Sequence, residues 1–213
     1  MTIHTFTVGP FVQNTYLLIN GPDAILIDAG FGQSSELQAL KDLLQEKEAG
    51  LAGILLTHAH IDHVMGLNHL LKTFGDLPVW LNHSDLTLWN EIEHQASQFG
   101  ISASGFSFVP EPLPEQNGFR AGPFSFNVLY TPGHAPDHVS LYMPDEQKVI
   151  AGDALFRQSI GRTDLYKGDL KLLTRSIQEK LYTLPDQTTV LPGHGPETTI
   201  GYEKRHNPFV RPA

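Results

Sequence analysis

The chain of 213 residues carries 14 Lys+Arg against 23 Asp+Glu, a formal charge of −9, with 11 His and no Cys. Its 40% hydrophobic content is enough for a real core at this length, and 17% charged residues is too few for a disordered or coiled-coil chain. The absence of cysteine excludes disulfides, thiolate catalysis, iron–sulfur clusters and Cys-held zinc, so a transition metal here would be held by His and carboxylate. An acidic balance without a basic run argues against a nucleic-acid partner, because phosphate contacts need clustered Lys and Arg. The opening MTIHTFTVGP has neither a basic nor an apolar leader region, and no stretch reaches 18 uninterrupted apolar residues. The expectation is a cytoplasmic protein with no membrane partner.

Apolar runs at residues 3–8, 15–19 and 24–27, separated by Gly9-Pro10 and Gly21-Pro22, predict consecutive antiparallel strands. From Ser34 onward Leu37, Leu40, Leu43 and Leu44 recur at helical spacing, with Ser34 or Ser35 as the expected N-cap and Gly50 as the close. Two strand–helix pairs follow: strand 53–57 with helix 62–74, then strand 79–81 with helix 84–99. Residues 100–116, rich in Gly, Ser and Pro, read as a long surface excursion or a lid. Strands are expected at 124–130, 139–143 and 148–151, a helix at 169–182 between Gly168 and Pro185, and a last strand at 188–191. This order predicts a sheet-on-sheet core with helices packed outside.

The informative segment is Leu56-Thr57-His58-Ala59-His60-Ile61-Asp62-His63, four metal-ligating side chains within six residues directly after an apolar strand. In extended backbone, side chains two apart point the same way, so His58 and His60 face one point from the strand end. A turn into helix then swings Asp62 and His63 to a neighbouring point, a geometry that suits two metals better than one. Imidazole and carboxylate serve Zn, Fe and Mn alike, so the spacing implies a metal without naming it. Three later sites repeat the arrangement: Thr131-Pro132-Gly133-His134, Ala151-Gly152-Asp153 and Leu191-Pro192-Gly193-His194 each put one ligand just past a strand, beside Gly or Pro that redirects the backbone.

The pattern T-H-x-H-x-D-H, then a lone His, a lone Asp and a final His, resembles the metallo-β-lactamase superfamily over nearly the whole chain. The resemblance implies an α/β fold, a single four-layer αββα sandwich over residues 1–213 with both metals at one edge of the paired sheets. It implies one metal on His58, His60 and His134 and the other on Asp62, His63 and His194, with Asp153 bridging. Asp62 and Asp153 are then the catalytic carboxylates, Asp62 as a ligand and not as a nucleophile. Gly152-Asp153-Ala154-Leu155-Phe156, Gly161-Arg162, and the ending Pro192-Gly193-His194-Gly195-Pro196 with Thr198-Thr199-Ile200-Gly201 and Asn207-Pro208-Phe209 are similar to the glyoxalase II (hydroxyacylglutathione hydrolase) group, in its short bacterial form. True β-lactamases of the superfamily generally lack the bridging Asp, so Asp153 counts against antibiotic hydrolysis.

The implied reaction is hydrolysis of a small thioester of the S-lactoylglutathione type, with two divalent ions, zinc first and Fe or Mn as alternatives. Two cations sharing a water lower its pKa towards about 7, and a thiol of pKa roughly 8.5 leaves without a protein acid. The alternatives are a mononuclear iron persulfide dioxygenase on His58, His134 and Asp153, a lactonase with the same ligands, and a non-catalytic member that has kept the fold. Arg162 stands where the group has a basic residue for a glutathione carboxylate, and pairing with Asp164 is the competing reading. Asp28 either orients a histidine or forms an Asx turn before Gly30. His138 is expected to support the loop behind His134, while His4, His69, His83, His94 and His206 are expected bystanders.

Overall fold

The computed structural model describes residues 1–212, which divide into two compact units. The first unit comprises residues 1–81, 86–112 and 120–124, and the second comprises residues 82–85, 113–119 and those from 125 on.

In the first unit β1 (Thr2–Val8) and β2 (Gln13–Asn20) form an antiparallel hairpin, and β3 (Asp23–Ile27) returns antiparallel to β2 across the Gly21-Pro22 turn. With a neighbour on each side, β2 is buried from Gln13 to Ile19. Helix α1 (Ser34–Glu46) leads to β4 (Gly50–Leu55), parallel to β3. Helices α2 (Ile61–Val64) and α3 (Leu67–Phe74) then precede β5 (Val79–Leu81), parallel to β4. Helices α4 (Thr87–Asn90) and α5 (Ile92–Gln98) and the segment after them reach β6 (Glu111–Pro112), which closes a six-stranded sheet in the order β1-β2-β3-β4-β5-β6. Because β3 and β4 run parallel, the residues that follow them, Asp28 and Thr57, emerge side by side.

The second unit holds most of the other six-stranded sheet, residues 120, 121 and 124 of its first two strands being assigned to the first unit. Its strands are β7 (Gln116–Ala121), β8 (Phe124–Tyr130), β9 (Val139–Met143), β10 (Lys148–Gly152), and, after a small hairpin of β11 (Leu155–Phe156) and β12 (Ser159–Ile160), β13 (Thr189–Pro192) and β14 (Thr198–Thr199). Strand β9 pairs antiparallel with both β8 and β10, and β10 pairs parallel with β13. Strands β8, β10 and β13 therefore share one direction, and their carboxyl ends open on one edge. Helix α6 (Leu170–Ser176) starts on Asp169, whose side chain accepts from the N–H groups of Lys171 and Leu172, and runs on as a π-helical turn over Ile177–Leu181. Leu173, Ile177 and Leu181 from this stretch join Val149, Ala151, Val190 and Ile200 in one buried cluster, to which α7 (Ile200–His206) contributes its first residue.

Four local expectations are corrected. The N-cap of α1 is not Ser34 or Ser35 but Gln33, in a capping box with Glu36, whose carboxylate accepts from the N–H groups of Gly9, Gly32 and Gln33. The expected helix 62–74 is broken at Gly66, and the expected helix 84–99 begins at Thr87 and is interrupted at Glu91. Residues 100–116 are not all irregular, since β6 and the start of β7 fall within them. The stretch before β6 is tied down: Phe106 stacks on buried Trp89 at 4.1 Å between ring centroids, and the Trp89 indole N–H donates to the Phe108 carbonyl.

At the break, Gly66 lies hard against neighbouring backbone. Its N–H donates to the Ala29 carbonyl at 2.8 Å, and a Cβ there would lie 2.6 Å from the Phe31 carbonyl oxygen and 2.9 Å from that of Ala29. Backbone cannot retreat as a side-chain tip can. Gly66→Ala is therefore expected to lower stability by about 1–3 kcal/mol, the cost of overpacking, read as a lower denaturant midpoint at unchanged slope.

Candidate metal centre

The segment after β4 places His58, His60, Asp62 and His63 together in the first unit. The His58 ring lies 4.8 Å from that of His60 and 4.1 Å from that of His63, and His63 Nε2 is 3.8 Å from Asp62 Oδ2. His58 and His63 are fully buried and His60 nearly so. Asp28 holds this loop. Its carboxylate accepts the Thr57 N–H at 2.7 Å and the Thr57 hydroxyl at 2.9 Å, and it takes His63 Nδ1 at 2.8 Å. A carboxylate only accepts, so the His63 proton sits on Nδ1 and Nε2 keeps its lone pair. His58 Nδ1 is likewise engaged, by the Thr57 hydroxyl at 3.0 Å. The orienting role for Asp28 is thus the one seen, in place of an Asx turn: the Gly30 N–H donates to the Thr15 hydroxyl instead. Asp28 adopts φ +64°, a left-handed conformation that Asp tolerates better than most residues.

The second unit gathers the other three candidates at the carboxyl ends of β8, β10 and β13. His134 Nε2 and His194 Nε2 each lie 3.5 Å from the same oxygen, Asp153 Oδ2. That is longer than a good hydrogen bond, and each separation matches the roughly 3.3–3.5 Å between two side chains that share a tetrahedral ion with bonds of about 2.0–2.1 Å. His134 Nδ1 donates to the Arg162 carbonyl at 2.8 Å, which again turns a lone pair on Nε2 outward. The loops themselves are pinned: the Gly193 N–H donates to the Gly152 carbonyl, the Asp169 N–H to the Gly133 carbonyl, and the Ser176 hydroxyl to the Pro132 carbonyl. In donor chemistry and in the tautomers its partners impose, this set fits a divalent cation.

His138 is buried and supports the centre as expected. Its Nε2 accepts the Asp153 N–H at 3.0 Å, so its Nδ1 proton faces the Thr131 hydroxyl at 2.8 Å; Thr131 contacts the Ser140 hydroxyl, which donates to the Ala151 carbonyl. The chain of polar groups ends beside the strand that delivers Asp153. Sequence reasoning gave no role to Thr57, Thr131 or Ser140, whose signal was only that each sits next to or facing a loop that bears a candidate ligand. The Arg162 side chain pairs with Asp164 through two 2.7 Å bonds at an exposed site, and the guanidinium holds the Asp164 carboxyl down at about 2. What Arg162 gives the centre is its backbone carbonyl. His69, His83, His94 and His206 are exposed, in keeping with bystanders. In the first unit a cleft of about 610 Å³ is lined by Trp89, Glu91, Glu93, His94 and Phe106, and none of the seven candidate ligands lines it.

The chain matches the model of the metallo-beta-lactamase superfamily over residues 8–194, and it belongs to that superfamily and has its fold. It is 39% identical to a probable metallo-hydrolase, YqgX, of Bacillus subtilis over 95% of this chain and 94% of that one. It is 36% identical to the hydroxyacylglutathione hydrolase GloC of Haemophilus influenzae over 99% and 98%. Among solved structures, the BLEG-1 B3 metallo-beta-lactamase shares 37% identity at a TM-score of 0.88, covering 98% of this chain and 99% of that one. The di-iron-bound form of TTHA1623 shares 41% at a TM-score of 0.86, covering 97% and 100%. The class is therefore a metal-dependent hydrolase of this superfamily. No helix among the described residues is long and apolar enough to cross a membrane.

Asp28→Asn keeps the left-handed backbone accessible while removing the anionic acceptor of His63. The expected outcome is a 10–100-fold loss of metal affinity, measured by chelator competition, with the fold intact by circular dichroism.

Proposed function

We propose that the chain acts as one catalytic domain in which His58, His60, Asp62, His63, His134, Asp153 and His194 together hold two divalent ions, zinc foremost, for hydrolysis of a small thioester of the hydroxyacylglutathione type. The observation that carries this reading is the placement of Asp153, one carboxylate oxygen equidistant from two imidazole Nε2 atoms. A carboxylate so placed suits a bridging ligand, and likeness to a hydroxyacylglutathione hydrolase over almost the whole chain supports the substrate class. The likeness to a di-iron form supports two ions and keeps iron beside zinc as the metal.

When bound, such ions supply acidification of a water and polarisation of an acyl carbonyl. The residues do the rest. Asp28, Thr57 and the Arg162 carbonyl fix the imidazole tautomers, so that three ligands present lone pairs without rearrangement. His138 fixes the backbone of Asp153. A thiolate leaving group of pKa roughly 8.5 departs near neutral pH without a protein acid, so no Ser–His–Asp set is needed. Arg162 would meet a substrate carboxylate only by exchanging its Asp164 partner. That pair is exposed, and such pairs exchange at little cost.

The test couples metal analysis to a panel of S-lactoylglutathione, a lactone, glutathione persulfide and a β-lactam. About two ions per chain are expected, with thioester turnover that Asp153→Ala lowers by more than about a hundredfold. One iron per chain with oxygen uptake on the persulfide would replace this reading with the mononuclear dioxygenase, and turnover of the β-lactam alone would replace it with a lactamase.

A further inference from the structure

The ending over residues 198–209 stands apart from the ligand set, yet it contains a fully buried carboxylate. Glu203, in α7, is 0% exposed, and its oxygens take three donors: the Thr198 hydroxyl at 2.6 Å, the Asn207 side-chain amide at 2.9 Å and the Gln158 N–H at 2.9 Å. Asn207 is also 0% exposed and is satisfied on all sides. Its amide donates to Glu203 and to the Ser159 carbonyl, and its carbonyl accepts the N–H groups of Phe209 and Val210. A core that gives up this much apolar volume to two polar side chains is fixing something in place.

What they grip is the β11–β12 hairpin at its turn residue Gln158, which stands at φ +55°, and at Ser159, the first residue of β12. A non-glycine residue there persists only when its surroundings hold it. This hairpin and the residues that flank it reach all three candidate ligands of the second unit. Asp153 lies two residues before β11; Phe156 sets its ring edge-on to His194 at 6.1 Å between centroids; and the segment leaving β12 passes through Gly161 to the Arg162 carbonyl that accepts from His134 Nδ1. The approach is close enough that a Cβ at Gly161 would lie 3.0 Å from His134 Nδ1 and would collide with the Asp153 carbonyl.

We propose that Glu203, with Asn207, is a positioning residue that clamps the β11–β12 hairpin and thereby sets the geometry of His134, Asp153 and His194 as metal ligands. This rests on the reading of those three residues as ligands. Glu203 touches neither substrate nor metal in this role; it acts through the hairpin. A glutamine in its place turns one acceptor into a donor among three donors, so the tip is released while the volume is kept.

The experiment compares the full-length wild type with Glu203→Gln, Thr198→Val and Asp153→Ala. Readouts are zinc affinity by competition with a chromophoric chelator, the visible spectrum of the cobalt-substituted protein, and the melting temperature of the metal-free form. Glu203→Gln is expected to bind at least one ion ten or more times more weakly and to shift the cobalt bands, with Thr198→Val moving both in the same direction by less. A purely structural carboxylate would lower the metal-free melting temperature alone, and unchanged affinity and spectrum in a folded Glu203→Gln would overturn the proposal. Should Glu203→Gln fail to fold, wild-type affinity and spectrum in Thr198→Val would overturn it. Wild-type metal binding by Asp153→Ala would instead refute the ligand reading, and this inference with it.

Discussion

The candidate centre depends first on the Asp28 carboxylate. One buried side chain ties the end of β3 to the loop after the parallel β4, by accepting from the Thr57 backbone and hydroxyl and from His63 Nδ1. Its left-handed backbone is the cost of aiming a carboxylate back across two strand ends. Without it, a buried N–H and a buried imidazole would lose their acceptor, and leaving such groups unsatisfied costs about 1–3 kcal/mol each. The same contact that stabilises the loop also selects the His63 tautomer. Stability and ligand chemistry are therefore not separable at this residue.

The second unit reaches a similar end by another route. Three strands of one direction deliver His134, Asp153 and His194 to one edge, so strand order does what Asp28 does in the first unit. The turns then need holding, and each is held by a hydrogen bond to backbone: Gly193 to Gly152, Asp169 to Gly133, His138 to the Asp153 N–H, His134 to the Arg162 carbonyl. Backbone partners cannot be lost by rotamer change, which suits loops whose ligand atoms must stay within a few tenths of an ångström.

The candidate ligands stand out in the sequence because rare residue types fall at short spacing: four side chains able to ligate between 58 and 63, and single ones beside Gly at 134, 153 and 194. The strands were legible where turn residues flank apolar runs, as at Gly21-Pro22 and again before β8. Less was legible where tertiary contact overrides local pattern. Residues 62–74 read as one helix straight through Gly66, but there the backbone N–H leaves the helical ladder for the Ala29 carbonyl. The two-residue strands β6, β11, β12 and β14 are too short to carry a period. Glu203 has the pattern of an ordinary surface acid in a short helix, and only its three donors, distant in sequence or folded back on it, mark it as interior.

The partners of the imidazoles also grade their donor strength. His63 is backed by a buried carboxylate, His134 by a carbonyl, and His58 by a hydroxyl that itself leans on Asp28. Electron density pushed towards Nε2 should fall in the order carboxylate, carbonyl, hydroxyl, so His63 is the strongest of the three donors. His63 also lies beside Asp62, an acid that stays partly exposed, whereas Asp153 is nearly buried between two histidines. Two acids, Asp28 and Asp62, thus flank His63. An overall charge of −9 says nothing of this placement. It lies in which few acids are buried, and against which imidazoles they are set.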